Sequence, residues 1–247
     1  KELAKLPLDP RIGRMILAAR DRQALAEVLI IASALSVQDV RDRPLEQQQA
    51  ADLKHKAFDD ERSEFVGYLK LWKWIEAGKG ASVDGVGQHK LSNRQQEQRL
   101  REHFVSPRRV REWRDIHSQL HTVVAEHGWK LNTAPASYEQ LHLAMLAGLL
   151  GNVGCRADAG PSQVGSPPRG AGGRPGRDDE DWYLGARGIK FWRHPGAHLS
   201  KKPGRWLIAA ELVETTRLYG RALAASEPQW IVQVAGHLLN RQLLEPH

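Results

Sequence analysis

The feature that most constrains this chain is a change of hydrophobic period near Gly151. From Asp9 up to that point apolar residues recur three and four apart, the spacing of helices that bury one face. Beyond it the spacing gives way to short alternating, aromatic-rich runs, as in strands. Neither a uniform bundle nor a uniform sheet accommodates both periods. The expected class is therefore α+β: a helical bundle, then five short strands forming a compact barrel or sandwich, then a C-terminal helix.

Within the helical part, Asp9 followed by Pro10 reads as an N-cap with proline at the first helical position, and Ile12, Met15, Ile16 and Ala19 share one face. Leu25, Val28, Leu29, Ala32 and Leu35 repeat that spacing, which predicts an antiparallel pair before a loop at 39–44. Residues 46–60 read as a polar surface helix. Phe65, Leu69, Trp72 and Ile75 mark a helix that buries aromatics and is broken by four glycines between 78 and 87. Ser106-Pro107 opens the longest helix, to about 127, with Val110, Trp113, Ile116, Leu120 and Val124 on one arc. Ser137 and Gln140 form a capping box before the last helix of this part. Strands are expected at 152–156, 182–186, 189–193, 206–213 and 215–224, then an amphipathic stretch at 227–239. Residues 160–176, rich in Gly, Pro, Ser and Arg, cannot offset their ordering entropy and read as a disordered insertion.

Charge narrows the partner. The chain has 247 residues and carries +7, from 36 Lys plus Arg against 29 Asp plus Glu, which points to a polyanion. No apolar run approaches the roughly 20 residues a membrane span requires. The beginning, Lys1-Glu2-Leu3-Ala4-Lys5, has no initiator Met and no secretory pattern, so it reads as the cut end of something longer. A single Cys155 excludes an intramolecular disulfide framework and multi-Cys zinc sites, and it fits a reducing, cytoplasmic setting.

Two basic clusters carry the candidate chemistry. Arg187, Lys190, Arg193, Lys201, Lys202 and Arg205 lie among Trp182, Tyr183, Phe191 and Trp192, with no acidic residue from 182 to 205. Ammonium and guanidinium groups meet phosphates there, while aromatic faces stack on unpaired bases. Ser200-Lys201-Lys202-Pro203-Gly204 reads as a tight turn holding two ammonium groups at a rim. The competing reading is a solvated basic loop partly balanced by Asp178, Asp179, Glu180 and Asp181. The second cluster holds Arg99, Arg101, Arg108, Arg109, Arg111 and Arg114 around the start of the long helix, where a guanidinium fork suits phosphate. Its competing reading is ion pairing along the helix surface, for instance Arg108 with Glu112. His117 with His121, and His194 with His198, have a four-residue spacing but no third ligand, so packing or phosphate contact is expected rather than metal. Cys155 reads as a buried hydrophobe. No G-x-x-x-x-G-K-S/T loop occurs, so the chain is not expected to hydrolyse a nucleotide by itself, and no catalytic residue is assigned.

At these residues the sequence resembles the C-terminal accessory region of DEAH-box RNA helicases, most closely the bacterial HrpA type. The stretch from Leu3 to Met15, reading LAKLPLDPRIGRM, looks like the family's junction between winged helix and helical ratchet. SVQDVRDRP at 36–44 and REWRDI at 111–116 are similar to ratchet segments. HPGAHL at 194–199, PGRW at 203–206, ELVETT at 211–216 and EPQW at 227–230 look like the family's OB-fold signature. The resemblance implies the end of a winged helix at 1–9, a ratchet at 10–151 and an OB fold at 152–247 carrying the 160–176 insertion. It implies a partner, single-stranded RNA, contacted by Arg108, Arg109, Arg111, Arg114, Arg187, Lys190, Arg193, His194, His198, Ser200, Lys201, Lys202 and Arg205. It also implies RecA-like motor domains elsewhere in the same protein, which would bind ATP and Mg²⁺. Competing functions are a stand-alone module for single-stranded nucleic acid and a platform for an activating protein on the OB fold.

Overall fold

The computed structural model describes residues 9–80, 90–156, 182–199 and 204–244, and side chains as far as residue 236. Residues 1–8, the stretch from 160 to 176, and Ser200, Lys201 and Lys202 lie outside the described residues. Among the described residues seven α-helices precede a closed five-stranded barrel, and one helix follows it: α1 (Pro10–Asp21), α2 (Leu25–Leu35), α3 (Gln48–His55), α4 (Glu64–Ala77), α5 (Asn93–Glu102), α6 (Pro107–Glu126), α7 (Tyr138–Leu149), β1 (Val153–Arg156), β2 (Trp182–Gly185), β3 (Lys190–Arg193), β4 (Trp206–Glu214), β5 (Leu218–Ser226) and α8 (Pro228–Leu244).

The helix starts follow from their caps. Asp9 accepts the Arg11 backbone N–H ahead of α1, Ser106 caps α6 with Pro107 at its first position, and Ser137 with Gln140 closes a reciprocal capping box on α7. The same S-x-x-Q signature at Ser92 and Gln95 starts α5, a helix the periodicity alone did not reveal because only Gln96 and Leu100 are buried in it. The stretch expected as one surface helix at 46–60 is instead α3 between two short 3₁₀ turns, with His55 and Phe58 turned inward. Helix α2 is apolar nearly all round and therefore central: it packs on α1, α4, α6 and α7. Its one buried hydroxyl, on Ser33, lies against the buried indole of Trp113, whose N–H reaches Ser33 Oγ at 3.0 Å and the Ile30 carbonyl at 3.1 Å.

The barrel order is β1-β2-β3-β5-β4, antiparallel except for the β3–β5 pair. Tyr183, Phe191, Leu207, Ala209 and Leu223 fill its interior. The Phe191 ring lies against the backbone of Gly154, where any Cβ would collide with it, so that position requires glycine, and a Cβ at Gly220 would crowd Leu223 and Phe191.

Bundle and barrel share one core. Residues of α1, α2, α4, α6 and α7 are in a single buried cluster with Val153, Ile208 and Ala224 of the barrel and Trp230 and Val234 of α8. The joint is hydrogen-bonded as well. β3 pairs with β5 only at Tyr219 and Gly220, and farther along β5 the segment before α4 takes the edge: Ser63 bridges Ala224, and the Ala225 N–H donates to the Arg62 carbonyl at 2.6 Å. Ala222, at φ 51°, bends β5 there. The Glu64 carboxylate, 8% exposed, accepts the Leu223 N–H at 2.6 Å and the His198 N–H at 3.0 Å. Beside it His142 is buried against Tyr138, its Nδ1 2.7 Å from the Tyr138 carbonyl and its Nε2 2.6 Å from Ser63 Oγ. Nδ1 therefore carries the proton, and the Ser63 hydroxyl donates to Nε2.

Two stability predictions come from this joint. Glu64→Ala strands two shielded N–H donors and is expected to cost about 3 kcal/mol in urea unfolding, with Glu64→Gln losing less because one acceptor oxygen remains. Burial pushes His142 down to about 4 from 6.5. The unfolded chain therefore takes up the proton first as pH falls, so stability is full above about pH 6.5 and declines toward pH 4, by about 3 kcal/mol from this imidazole. Burial lowers His55, His117 and His194 in the same direction. Urea midpoints between pH 7 and pH 4 measure the slope, and His142→Gln should flatten it.

Candidate functional site

A cleft of about 640 Å³ opens where α1, the loop after α2 and the start of α4 meet the barrel. Arg11, Arg41, Arg43 and Arg109 line it from the helical side, and His194, His198 and Arg221 from the barrel. Each helical-side guanidinium is held by a carboxylate. Arg11 meets Asp9 at 2.6 Å, Arg41 meets Asp39 at 2.8 Å and Arg43 meets Asp52 at 2.7 Å. Arg109 reaches Asp42 at 2.9 Å and the Asp39 carbonyl at 3.0 Å. Two of these pairs share a local cause. In Asp9-Pro10-Arg11 and in Asp39-Val40-Arg41 the aspartate accepts both the backbone N–H and the side-chain Nε of the arginine two residues on, which clamps the guanidinium to its own turn. Burial alone would raise Asp39, but Arg41 beside it holds its carboxyl below the ordinary value. Five guanidiniums and five carboxylates line the cleft, so its walls are oriented rather than strongly charged.

On the barrel side, His194 Nδ1 accepts the Gly196 N–H at 3.0 Å, which places its proton on Nε2. Burial, and then the nearby Arg221, push this imidazole below its ordinary value. His198 Nδ1 lies 3.0 Å from Asp59 Oδ1. The two imidazoles thus serve different partners. His117 packs at a tilt against Trp72, with its ring centroid 6.2 Å from that of His121. Among the described residues no group of three or more His, Cys, Asp or Glu side chains is placed to hold a metal, and no helix is long and apolar enough to cross a membrane.

Of the residues singled out in the sequence, the fold brings Arg109, His194 and His198 together in the cleft. Arg108, Arg111 and Arg114 face other neighbours: Glu112 on the same helix at 3.9 Å, Glu97 of α5 at 3.2 Å and Glu76 of α4 at 3.1 Å. Arg187 lies in the turn between β2 and β3, in the left-handed region at φ 57°, and Lys190 begins β3 with its ammonium 4.3 Å from the Trp182 ring centroid. Arg193 ends β3, and the carbonyl of Arg205 accepts the Arg156 N–H beside β4. Arg11, Arg41, Arg43 and Arg221 were not among the candidates. The repeated D-x-R spacing was the legible sign of the first two. Arg43 and Asp52 are nine residues apart and Arg221 meets the cleft only through the fold, so no local pattern marks either.

Four of the seven segments that carry the family likeness converge here: Asp9 and Arg11, then Gln38, Asp39, Arg41 and Arg43, then His194, Gly196, Ala197 and His198, then Glu211 all line this one cleft. Comparison with known proteins agrees. Residues 9–70 match the family model of the helicase associated domain (HA2), ratchet-like, and residues 141–238 match that of the oligonucleotide/oligosaccharide-binding (OB)-fold. The second match begins inside α7, the helix that packs on both β4 and α8. The ATP-dependent RNA helicase HrpA of Escherichia coli is 40% identical over the full chain, and the HrpA homolog of Haemophilus influenzae is 38% identical. The pre-mRNA-splicing factor ATP-dependent RNA helicase prp22 of Schizosaccharomyces pombe is 23% identical over 95% of the chain. The chain spans 17% of the length of each of these relatives. A ratchet-like model and an OB-fold model are thus matched in order on one shared core, and over its full length the chain is similar to a part of the ATP-dependent RNA helicase HrpA.

Proposed function

We propose that this chain is the RNA-binding accessory region of an ATP-dependent DEAH-box RNA helicase, guiding single-stranded RNA past motor domains of the same protein. Nucleotide chemistry belongs, in this reading, to those motor domains, which would bind ATP and Mg²⁺; nothing in the present sequence has the pattern of a phosphate-cradling loop. The task of this chain is to hold the strand while the motor steps.

One observation carries the reading: the arginines of the cleft's helical side and of the start of α6 are paired with carboxylates, whereas three cations of the barrel are not. On the helical side Arg11, Arg41, Arg43, Arg108, Arg109, Arg111 and Arg114 all meet carboxylates. On the barrel, among the described residues, Arg187, Lys190 and Arg221 have no carboxylate within 4.0 Å, although Glu211 lies across the ladder from Arg221. Unpaired cations hold condensable charge that a phosphate backbone neutralises with release of counterions, whereas a guanidinium already paired gains less. The barrel therefore supplies attraction, and the clamped arginines of the cleft supply donors of fixed direction at which the strand meets the bundle. OB folds commonly bind through the face of their second and third strands, where Lys190 lies.

Titration of the full chain with a single-stranded RNA at several salt concentrations tests this. Replacing Arg187, Lys190 and Arg221 together by Ala is expected to weaken binding and to reduce the slope of log K against log salt by about 2, at roughly 0.7 for each phosphate no longer neutralised. Replacing Arg108, Arg111 and Arg114 together should change that slope little. The opposite ranking, or no RNA binding at all, defeats the reading.

A further inference from the structure

Strand alternation and the cleft disagree at one point. Along β4 and β5, Leu207, Ala209 and Leu223 fill the barrel, while Ile208 and Ala224 pack against the bundle. Glu211 and Arg221 stand two residues away from Ala209 and Leu223, so regular alternation would turn both charges into the barrel interior. They do not go there. The ladder pairs Ala209 with Leu223 and Glu211 with Arg221 but omits Ala210 and Ala222 between them, and Ala222 is a non-glycine residue at φ 51°. That bend changes the face. Leu212 and Gly220, the next pair, lie toward the interior, and Ala210, Glu211, Arg221 and Ala222 all line the cleft. A left-handed alanine is an uncommon conformation, and here it delivers one carboxylate and one guanidinium to the same wall.

Those two charges are the uncommitted ones of the cleft. Of its carboxylates, Asp9, Asp39 and Asp52 hold Arg11, Arg41 and Arg43, and Glu64 accepts two backbone N–H groups. Of its remaining guanidiniums, Arg109 is held by Asp42. Arg11, across from Glu211, is engaged by Asp9 and reaches the Ala210 carbonyl at 3.4 Å. Among the described residues neither Glu211 nor Arg221 forms an ion pair or a side-chain hydrogen bond, although they are cross-strand partners, whose Cβ atoms lie about 5 Å apart.

A cleft that only attracted phosphate would be weakened by a free carboxylate, which repels the strand the guanidiniums draw in. A ligand that uses both groups carries an anion and a hydroxyl donor side by side. The ribose-phosphate unit does so: its 2′-hydroxyl sits on the carbon next to the one bearing the 3′-phosphate, and that hydroxyl is what distinguishes RNA from DNA at a contact. We propose that Glu211 is a specificity-determining residue, accepting the 2′-hydroxyl of a ribose whose adjoining phosphate meets Arg221, so that this wall separates RNA from DNA by the sugar. The assignment rests on the reading of the chain as RNA-binding and adds which group of the strand the wall recognises. A DNA strand offers the carboxylate no donor and leaves it facing phosphates.

The test measures the affinity of the full chain for three strands of one length: an oligouridylate, its 2′-O-methyl form, which keeps the ribose and loses the donor, and an oligodeoxyuridylate. The oligouridylate is expected to bind about tenfold more tightly than either of the others, the effect of one hydrogen bond to a charged acceptor. Glu211→Ala should bring the three affinities together, by weakening the oligouridylate and relieving the other two of repulsion. Arg221→Ala should weaken all three and leave their ratios in place. Glu211 is exposed, so its replacement leaves the core untouched. Equal binding of the three strands by the unmodified chain overturns the assignment with RNA binding intact, and needs no variant to fold. A preference that survives Glu211→Ala, or that separates RNA from DNA but not from its 2′-O-methyl form, overturns it too. If the oligouridylate does not bind at all, the RNA-binding reading itself fails, and this assignment with it.

Discussion

The structure depends on a single constraint, that β3 closes the barrel along only part of β5. β3 covers only the first part of β5, and the strand's remaining backbone donors are satisfied by Arg62 and by the Glu64 carboxylate at the start of α4. Because an unpaired buried N–H is costly, the barrel is held to the helical unit by the same hydrogen-bonding requirement that holds strands together. The apolar core reinforces this, running without a break from α2 through α7 into β4 and α8. The cleft is therefore a surface of fixed shape between two rigid walls rather than a gap between hinged domains.

That rigidity gives meaning to the distribution of charge. Within the cleft, carboxylates fix the direction of each helical-side guanidinium, so a ligand meets donors whose orientation has already been set. On the barrel Lys190 and Arg217 lie over the rings of Trp182 and Trp192. A strand drawn to the barrel would meet attraction first and directional contacts second. The ion pairs of Arg111 with Glu97 and of Arg114 with Glu76 belong to a different task, tying α6 to α5 and α4.

Much of the fold was legible because its signals are local. Caps at Asp9, Ser106 and Ser137, the apolar arc of α6 and the period-two runs around Tyr183 and Phe191 each involve residues within a few positions of one another. Where local signal was weak the reading slipped. α5 buries only two side chains, and the last strand begins at Leu218, not three residues earlier, because Thr215 to Arg217 form the hairpin turn.

The sequence by itself determined that a helical part precedes a β part, where most elements begin, and that the surplus charge is positive, since periodicity, capping and composition are properties of neighbouring residues or of sums. Only the tertiary structure decided which cations share a surface. Arg109 joins His194 and His198 in the cleft while Arg108, one residue away, faces solvent and Glu112, because successive helical side chains point about 100° apart. Glu211 and Arg221 meet on one wall only once β4 pairs with β5 and the ladder bends at Ala222, a register set by barrel closure and invisible along the chain.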